Sequence, residues 1–558
     1  MPAVNDALHP IPETPRPRAA TGRAAAILLA AGVVLLGLLA RAGDASSRDG
    51  LWRDEANAYF VVTESESIPD LLGNLRVEST PPLEPLLEYA LYRAVGPDTG
   101  ALRALVVFFG ALSVLAVIAV GWRAFGPPCG LLAGLLAATS PYLIRISGDP
   151  RNSSLFGLLA VVHAAFYLRY LEQRTYARAC AWAAGAAAMA YAHYYAFGIV
   201  ACACAAALAM APRRAEAVRM AVAATLFALL YAPWLPTFLR QFGADLQPWY
   251  MPRTDAAGLF AILRLPLGYA GGTLIAWGLL STLVRIHGPG GAGDTRARLR
   301  FWGLAAVSVA PAALSWVMQV HVGAFDERYL VATVLPLMPV ACAGWSWMFC
   351  GEPIEFRIPA LRRPVAIRGP VRRRIACALL AAAFVTQYLD PARWLRPSSP
   401  AREFATIIGR HGRPDDLVWI FPAPYASSFN YHFAGPQAQL AFPFRGRVTK
   451  VDWLRLRERE QSPKVIAAFL ARLGEHLDRG GRVWALIVEN LPLDVGWSFS
   501  TGPGPVHASR LARAEMHVHR QALRLLYTHA RVRGWWDRPH LDYHEGMVLA
   551  LFAPERAR

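Results

Sequence analysis

Long apolar blocks alternate with short polar ones along the first 390 residues of the chain. Blocks long enough to form spans fall near 24–40, 102–122, 129–147, 153–171, 179–196, 197–211, 218–238, 258–284, 301–320, 329–349 and 375–389. A transmembrane helix needs about 20 mainly apolar residues. The pattern therefore predicts a multi-pass α-helical membrane protein with 11 spans. The first block resembles a signal-peptide core, with Ala40-Arg41-Ala42 as a passable cleavage site. A membrane-embedded chain follows it, so the first helix is expected to be retained.

Two polar regions are long. In 42–100, between the first two spans, Ile68, Leu71, Leu72 and Leu75 recur at helical spacing, and Leu83, Leu86, Leu87, Ala90, Leu91 and Ala94 repeat it. These runs predict two amphipathic helices in the outer interface, separated by Pro81-Pro82, with Glu84 and Glu88 on the polar face of the second. In 391–558, strand-like runs at Leu417–Phe421, Val483–Val488 and Met547–Phe552 alternate with helical patterns near 401–410, 464–478 and 508–530. That alternation predicts a compact α/β domain. The organisation is thus a tail, 1–23, a polytopic membrane domain, 24–390, and the α/β domain, 391–558.

Composition narrows the class. The chain is 55% hydrophobic and 17% charged, whereas soluble chains are about 45–50% apolar and about a quarter charged. One large soluble enzyme and a disordered chain are both excluded. The net charge of +18 comes from 57 basic residues, 55 of them Arg. Arg excess marks cytoplasmic loops before it marks nucleic-acid binding. With the N-terminus in the cytoplasm, Arg123, Arg174, Arg178, Arg213, Arg214, Arg219, Arg296, Arg298, Arg300 and the Arg-rich 350–374 loop all fall inside. Eleven spans then put 391–558 outside. The seven Cys lie in or beside spans, so the outer regions have no disulfide framework or CxxC metal knuckle. His517 and His519, two apart on a helix, point in different directions and are expected on a solvated face rather than around a metal.

The spans contain no Asp, Glu or Lys, unlike an ion-coupled transporter, which usually needs intramembrane carboxylates. Ionisable residues gather instead at outer helix ends: Asp54 and Glu55; Arg145, Asp149 and Arg151; His193, Tyr194 and Tyr195; Asp326, Glu327 and Arg328. Carboxylates at such an interface suit general-base work on a hydroxyl, and arginines suit a phosphate. Taken singly, interfacial charges are commonly anchors. The adjacent Asp54-Glu55 pair, flanked by Trp52 and Tyr59, is the least expected of them.

Several motifs resemble the polytopic glycosyltransferases that use polyprenyl-phosphate sugars, the GT-C superfamily, and within it glycosyltransferase family 39, the protein O-mannosyltransferase and aminoarabinose transferase group. Trp52-Arg53-Asp54-Glu55-Ala56 resembles the family's acidic pair in the first outer loop. Thr80-Pro81-Pro82-Leu83 resembles its Pro-Pro-Leu motif, and Ser147 to Arg151 its second acidic motif. Ala192-His193-Tyr194-Tyr195, Tyr231 to Pro236 and Arg328-Tyr329-Leu330 resemble its His-aromatic turn, Pro-Trp helix end and Arg-Tyr span start. The chain departs from the pattern at Asp149, Ser153 and Glu84, where Glu, an aromatic and an aromatic are commoner.

The resemblance implies a polyprenyl-phosphate sugar donor and a protein, lipid or glycan acceptor, with Asp54 as general base. Glu55 or Asp149 would orient the acceptor or hold a divalent metal. Arg151, Arg328 and His193 would bind the leaving phosphate, with Glu84, Tyr194 and Tyr329 among the substrate-binding residues. Metal dependence is left open, no nucleic-acid partner is implied, and the setting is a bacterial inner membrane with the site on its outer face. A lipid-linked-sugar flippase or polysaccharide exporter, or a non-catalytic assembly protein, would also account for spans with interfacial charges.

Overall fold

The computed structural model describes residues 18–48, 50–78, 80–211, 213–245, 276–283, 295–321, 327–350, 354–356, 365–367, 370–371, 373–378, 399–460, 462–488, 510–536 and 547–554. Four helical stretches among them are long and apolar enough to cross a membrane: Arg23–Ser46, Thr99–Phe125, Ser153–Glu172 and Arg328–Ser346. The first lies within α1 (Arg18–Ser46). After it come α2 (Arg53–Thr63), α3 (Ile68–Leu75) and α4 (Leu83–Val95), then α5 (Thr99–Phe125).

The expected span 129–147 is two helices, α6 (Pro127–Thr139) and α7 (Pro141–Ile146). Pro141 ends one and starts the other, because proline fits the first turn of a helix and not its interior. The α8 helix (Ser153–Glu172) is followed by α9 (Tyr176–Ala192) and α10 (Ala196–Met210), of 17 and 15 residues. The expected span 218–238 is bent. Its α11 (Arg214–Tyr231) and α12 (Leu235–Asp245) meet at 83° across the Pro-Trp segment. The described residues thus hold four such spans, or five with this bent pair. Of the expected spans 258–284 and 375–389, residues 258–275 and 379–389 lie outside the described residues.

The helices share one apolar core. It includes Val114, Val117, Phe156, Tyr167, Trp182, Leu335 and Val340. Where α5 and α6 cross, small residues allow close approach: a Cβ on Gly130 would lie 2.7 Å from the Trp122 backbone nitrogen. Small residues are the usual device for tight helix contacts in lipid. Arg41, in the passable cleavage site, is buried among these helices. It donates to the carbonyls of Gly37 at 3.0 Å and Ala137 at 2.9 Å, and to Ser147 Oγ at 3.1 Å. It ties α1 to the chain that carries Asp149.

A hairpin of β1 (Ile354–Phe356) and β2 (Val365–Ile367) lies in the Arg-rich loop. Beyond residue 399 the chain builds a six-stranded mixed sheet in the order β5-β4-β3-β6-β8-β7. Its strands are β3 (Leu417–Phe421), β4 (Ala438–Ala441), β5 (Phe444–Arg445), β6 (Val483–Val488), β7 (Arg531–Trp536) and β8 (Met547–Ala553). β3 pairs parallel with β4 and β6, and β8 runs antiparallel between β6 and β7. Apolar clusters form on both faces, one around Phe404 and Phe429, the other around Leu473 and Leu523. Both faces of the central strands are therefore covered, which explains their unbroken apolar runs. His519 corrects the solvated-face expectation. It is buried against Phe421 and Trp419, with ring centroids 5.3 and 5.8 Å away, while His517 is exposed.

The sheet domain touches α2 directly. Its helix Tyr425–His432 lays Tyr431 against Tyr59, with ring centroids 5.3 Å apart. Tyr425 lies 5.4 Å below the Arg53 guanidinium, and the Val451 N–H donates to Asn57 Oδ1 at 2.8 Å.

Candidate active site

The α2 helix opens with the acidic pair. Glu55 Oε2 accepts the Trp52 N–H at 3.2 Å, so one carboxylate caps the helix start. The neighbouring Asp54 points elsewhere. Arg53 Nε lies 2.9 Å from Asp54 Oδ1, Arg151 Nη1 2.9 Å from Oδ2 and Arg328 Nη1 3.6 Å from Oδ2. Three segments distant in sequence thus converge on one carboxylate. Burial alone would raise the Asp54 carboxyl, but Arg53, Arg151 and Arg328 outweigh it and hold it well below the usual carboxylate range.

The 147–152 turn places Arg151. Its Asn152 Nδ2 donates to the Ala192 carbonyl at 3.0 Å, fastening the turn beside His193. His193 stacks on Phe156 at 4.5 Å and meets Tyr329 at 4.6 Å. Arg328 sits 5.1 Å over the Trp52 ring. The four helix ends that the sequence singled out therefore do meet: Asp54, Arg151, Arg328 and the His193–Tyr329 pair belong to one region.

Glu55, Asp149 and Tyr194 turn away from it. Arg48 forms an ion pair with Asp149 and another with Asp44 at 2.7 Å. Glu55 is fully buried 3.8 Å from both Arg48 and Arg103. Burial and the Asp149 charge push its carboxyl up to about 8. Arg48, Asp44 and Asp149 thus form a buried ion network, against which Glu55 and Arg103 pack, joining the end of α1 to α2 and α5. Tyr194 donates to Gln241 Oε1 and accepts from Trp234 Nε1 at 3.0 Å, which fastens α12.

The α4 helix turns its polar face into the protein rather than to solvent. Leu87 and Ala90, on the apolar stripe, are exposed, whereas Glu84 and Glu88 are buried. The acidic stripe faces a cavity between α2, α4 and the 150–152 turn, lined in part by Asp54, Asn57, Glu78, Thr80, Glu84, Glu88 and Arg151. Asn57 Nδ2 donates to Glu78 Oε1 at 2.8 Å. Arg48, Arg103, Glu78 and Glu88 were not singled out as site residues, because a lone charge in an outer loop carries no sign of its burial. The one-turn spacing of Glu84 and Glu88 was the available clue.

No family model and no curated protein matches the sequence. Solved structures do match. ArnT from Cupriavidus metallidurans, in the apo state and bound to undecaprenyl phosphate, superposes with TM-scores of 0.56 and 0.55 at 14% identity, covering 85% of this chain and 94% of that one. The archaeal oligosaccharyltransferase AglB from Archaeoglobus fulgidus, in complex with an inhibitory peptide and a dolichol-phosphate, superposes at 0.51 with 12% identity, over 82% of this chain and 69% of its own. The chain has the GT-C fold. The α2 to α4 segment lies between the first two stretches long and apolar enough to cross a membrane, and Asp54 stands near its start. Among the described residues no three His, Cys, Asp or Glu side chains are grouped as metal ligands. Asp54 itself is engaged by the guanidiniums of Arg53, Arg151 and Arg328.

Proposed function

We propose that this GT-C protein transfers a sugar from a polyprenyl-phosphate donor to a hydroxyl of a protein, lipid or glycan acceptor, on the outer face of a bacterial inner membrane. In this reading the N-terminus is cytoplasmic and the sheet domain extracytoplasmic. The convergence of Arg151 and Arg328 on Asp54 carries the proposal. It puts an acceptor for a proton and two binders for a phosphate within one site.

The reaction is a single displacement. The acceptor hydroxyl oxygen bonds to the anomeric carbon while the bond from that carbon to the phosphate oxygen breaks. Asp54 takes the hydroxyl proton, and polyprenyl phosphate leaves with the bonding electrons. The anomeric centre inverts. Arg151 and Arg328 hold the negative charge that grows on the phosphate, and Trp52 and Tyr329 wall the site. Without donor, Asp54 is a weak base because arginines clamp it. An incoming phosphate competes for Arg151 and Arg328, and each contact it gains loosens the clamp and strengthens the base. Donor binding therefore precedes proton removal.

The reading is tested with full-length protein in proteoliposomes supplied with a panel of radiolabelled polyprenyl-phosphate sugars and membrane-extract acceptors. Release of polyprenyl phosphate matched by labelled acceptor supports it. Movement of intact lipid-sugar across the bilayer with no transfer contradicts it and indicates a flippase.

A further inference from the structure

An outer-interface helix should turn its carboxylates to water, yet α4 buries them. Glu84 and Glu88 are 1% and 3% exposed, and both line the cavity that Asp54 lines. Both carboxylate oxygens of Glu84 and Oε1 of Glu88 are buried without a hydrogen-bond partner among the described residues. Such groups are costly to leave bare, and native structures rarely do so. One helical turn apart, they present their oxygens on one face. Arg151, the cation acting on both, is already paired with Asp54 at 2.9 Å. The cavity therefore holds two acidic side chains with unpartnered oxygens, next to the carboxylate that would take the acceptor's proton.

We infer that Glu84 and Glu88 form a donor-sugar subsite that reads hydrogen-bond-donating substituents, hydroxyl or amino, on the ring of the transferred sugar. The inference rests on the donor reading above. It makes α4 a specificity element, with the phosphate held by the arginines and the ring substituents by the acidic pair. A ligand lacking the matching donor leaves a buried carboxylate bare, which is how a polar site rejects a near-isostere strongly. The two residues touch the sugar and take no proton from the acceptor.

The test measures binding to full-length protein in nanodiscs. The probes are nerylneryl phosphate alone and nerylneryl phosphate bearing glucose, mannose, galactose or arabinose, with monodeoxy and amino-deoxy versions of the tightest. The variants are Glu84→Leu, Glu88→Leu and Glu84→Gln. Wild type should bind the best sugar probe at least about tenfold tighter than sugar-free lipid, and one monodeoxy change should remove about tenfold. In the Leu variants that deoxy penalty should vanish while sugar-free lipid binds as in wild type. Glu84→Gln retains an acceptor, so it should keep hydroxyl-bearing probes and lose amino-bearing ones; the relative effects separate the two chemistries. A deoxy penalty unchanged in the Leu variants would overturn the inference. So would equal weakening of the sugar-free lipid, or a wild type indifferent to every sugar. Failure of wild type to bind even sugar-free nerylneryl phosphate is a separate result, which overturns the donor reading itself.

Discussion

In the proposed reaction Arg151 serves two partners at different stages, so its removal has two signatures. In the empty site it lies 2.9 Å from Asp54, and its side chain is 24% exposed. At that distance and an effective dielectric of about 20, the Coulomb attraction is about 6 kcal/mol before desolvation. The net value of a hydrogen bond to a charged group is smaller, about 1.5–3 kcal/mol. Moved to the donor phosphate, that contact corresponds to about 10- to 100-fold in affinity. Arg151→Gln should therefore raise the Kd for polyprenyl phosphate about 10- to 100-fold, read by competition binding in nanodiscs. The same change unclamps Asp54, whose carboxyl the arginines hold below its ordinary range. Its protonation should then move up in pH, and the acidic limb of the kcat/KM profile should move with it. Arg48→Gln supplies the contrast, since Arg48 pairs with Asp44 and Asp149. It should lower thermal stability and leave the Kd for phosphate lipid unchanged. A folded Arg151→Gln protein with wild-type lipid affinity and an unmoved acidic limb would refute the reasoning.

Other outcomes follow from neighbouring contacts. Glu55 is raised from 4.5 to about 8, so its neutral form favours the fold; that stability is full below about pH 4.5 and is lost as pH rises toward 8. Melting curves of purified protein should show this decline, and Glu55→Gln should flatten it. Tyr425→Leu removes the ring under Arg53, the residue paired with Asp54, and should lower kcat about two- to fivefold, the range of a ~0.5–1 kcal/mol cation–π contact. Tyr425→Phe should restore most of it. A Cβ on Gly110 would lie 2.8 Å from Arg41 Nε, so Gly110→Ala should cost about 1–3 kcal/mol by overpacking, seen as a lower melting temperature.

The sequence announced the helices by bulk apolarity, and the central strands β3, β6 and β8 by short unbroken apolar runs. Pro141 and the Pro233–Pro236 segment marked where expected spans break, but the 83° bend depends on how α11 and α12 pack. The four polar helix ends were legible because each places charge beside an apolar block. Which charges face one another was not. Adjacent Asp54 and Glu55 diverge because consecutive helix residues point in different directions. The α4 helix is the clearest limit. Its periodicity identified the two faces, but a face is in or out only relative to a partner, and the partner here is a polar cavity. His519 shows the converse, since its burial comes from strand aromatics distant in the chain.

The most direct test of the central claim compares wild type with Asp54→Asn in proteoliposomes, following label from a polyprenyl-phosphate sugar into acceptor. A general base contributes about 10²- to 10⁴-fold. Asp54→Asn should therefore lose at least about a hundredfold in kcat while binding polyprenyl phosphate at wild-type strength or tighter, because Arg151 and Arg328 are released to it. Turnover within a fewfold of wild type in the Asn variant would contradict the account.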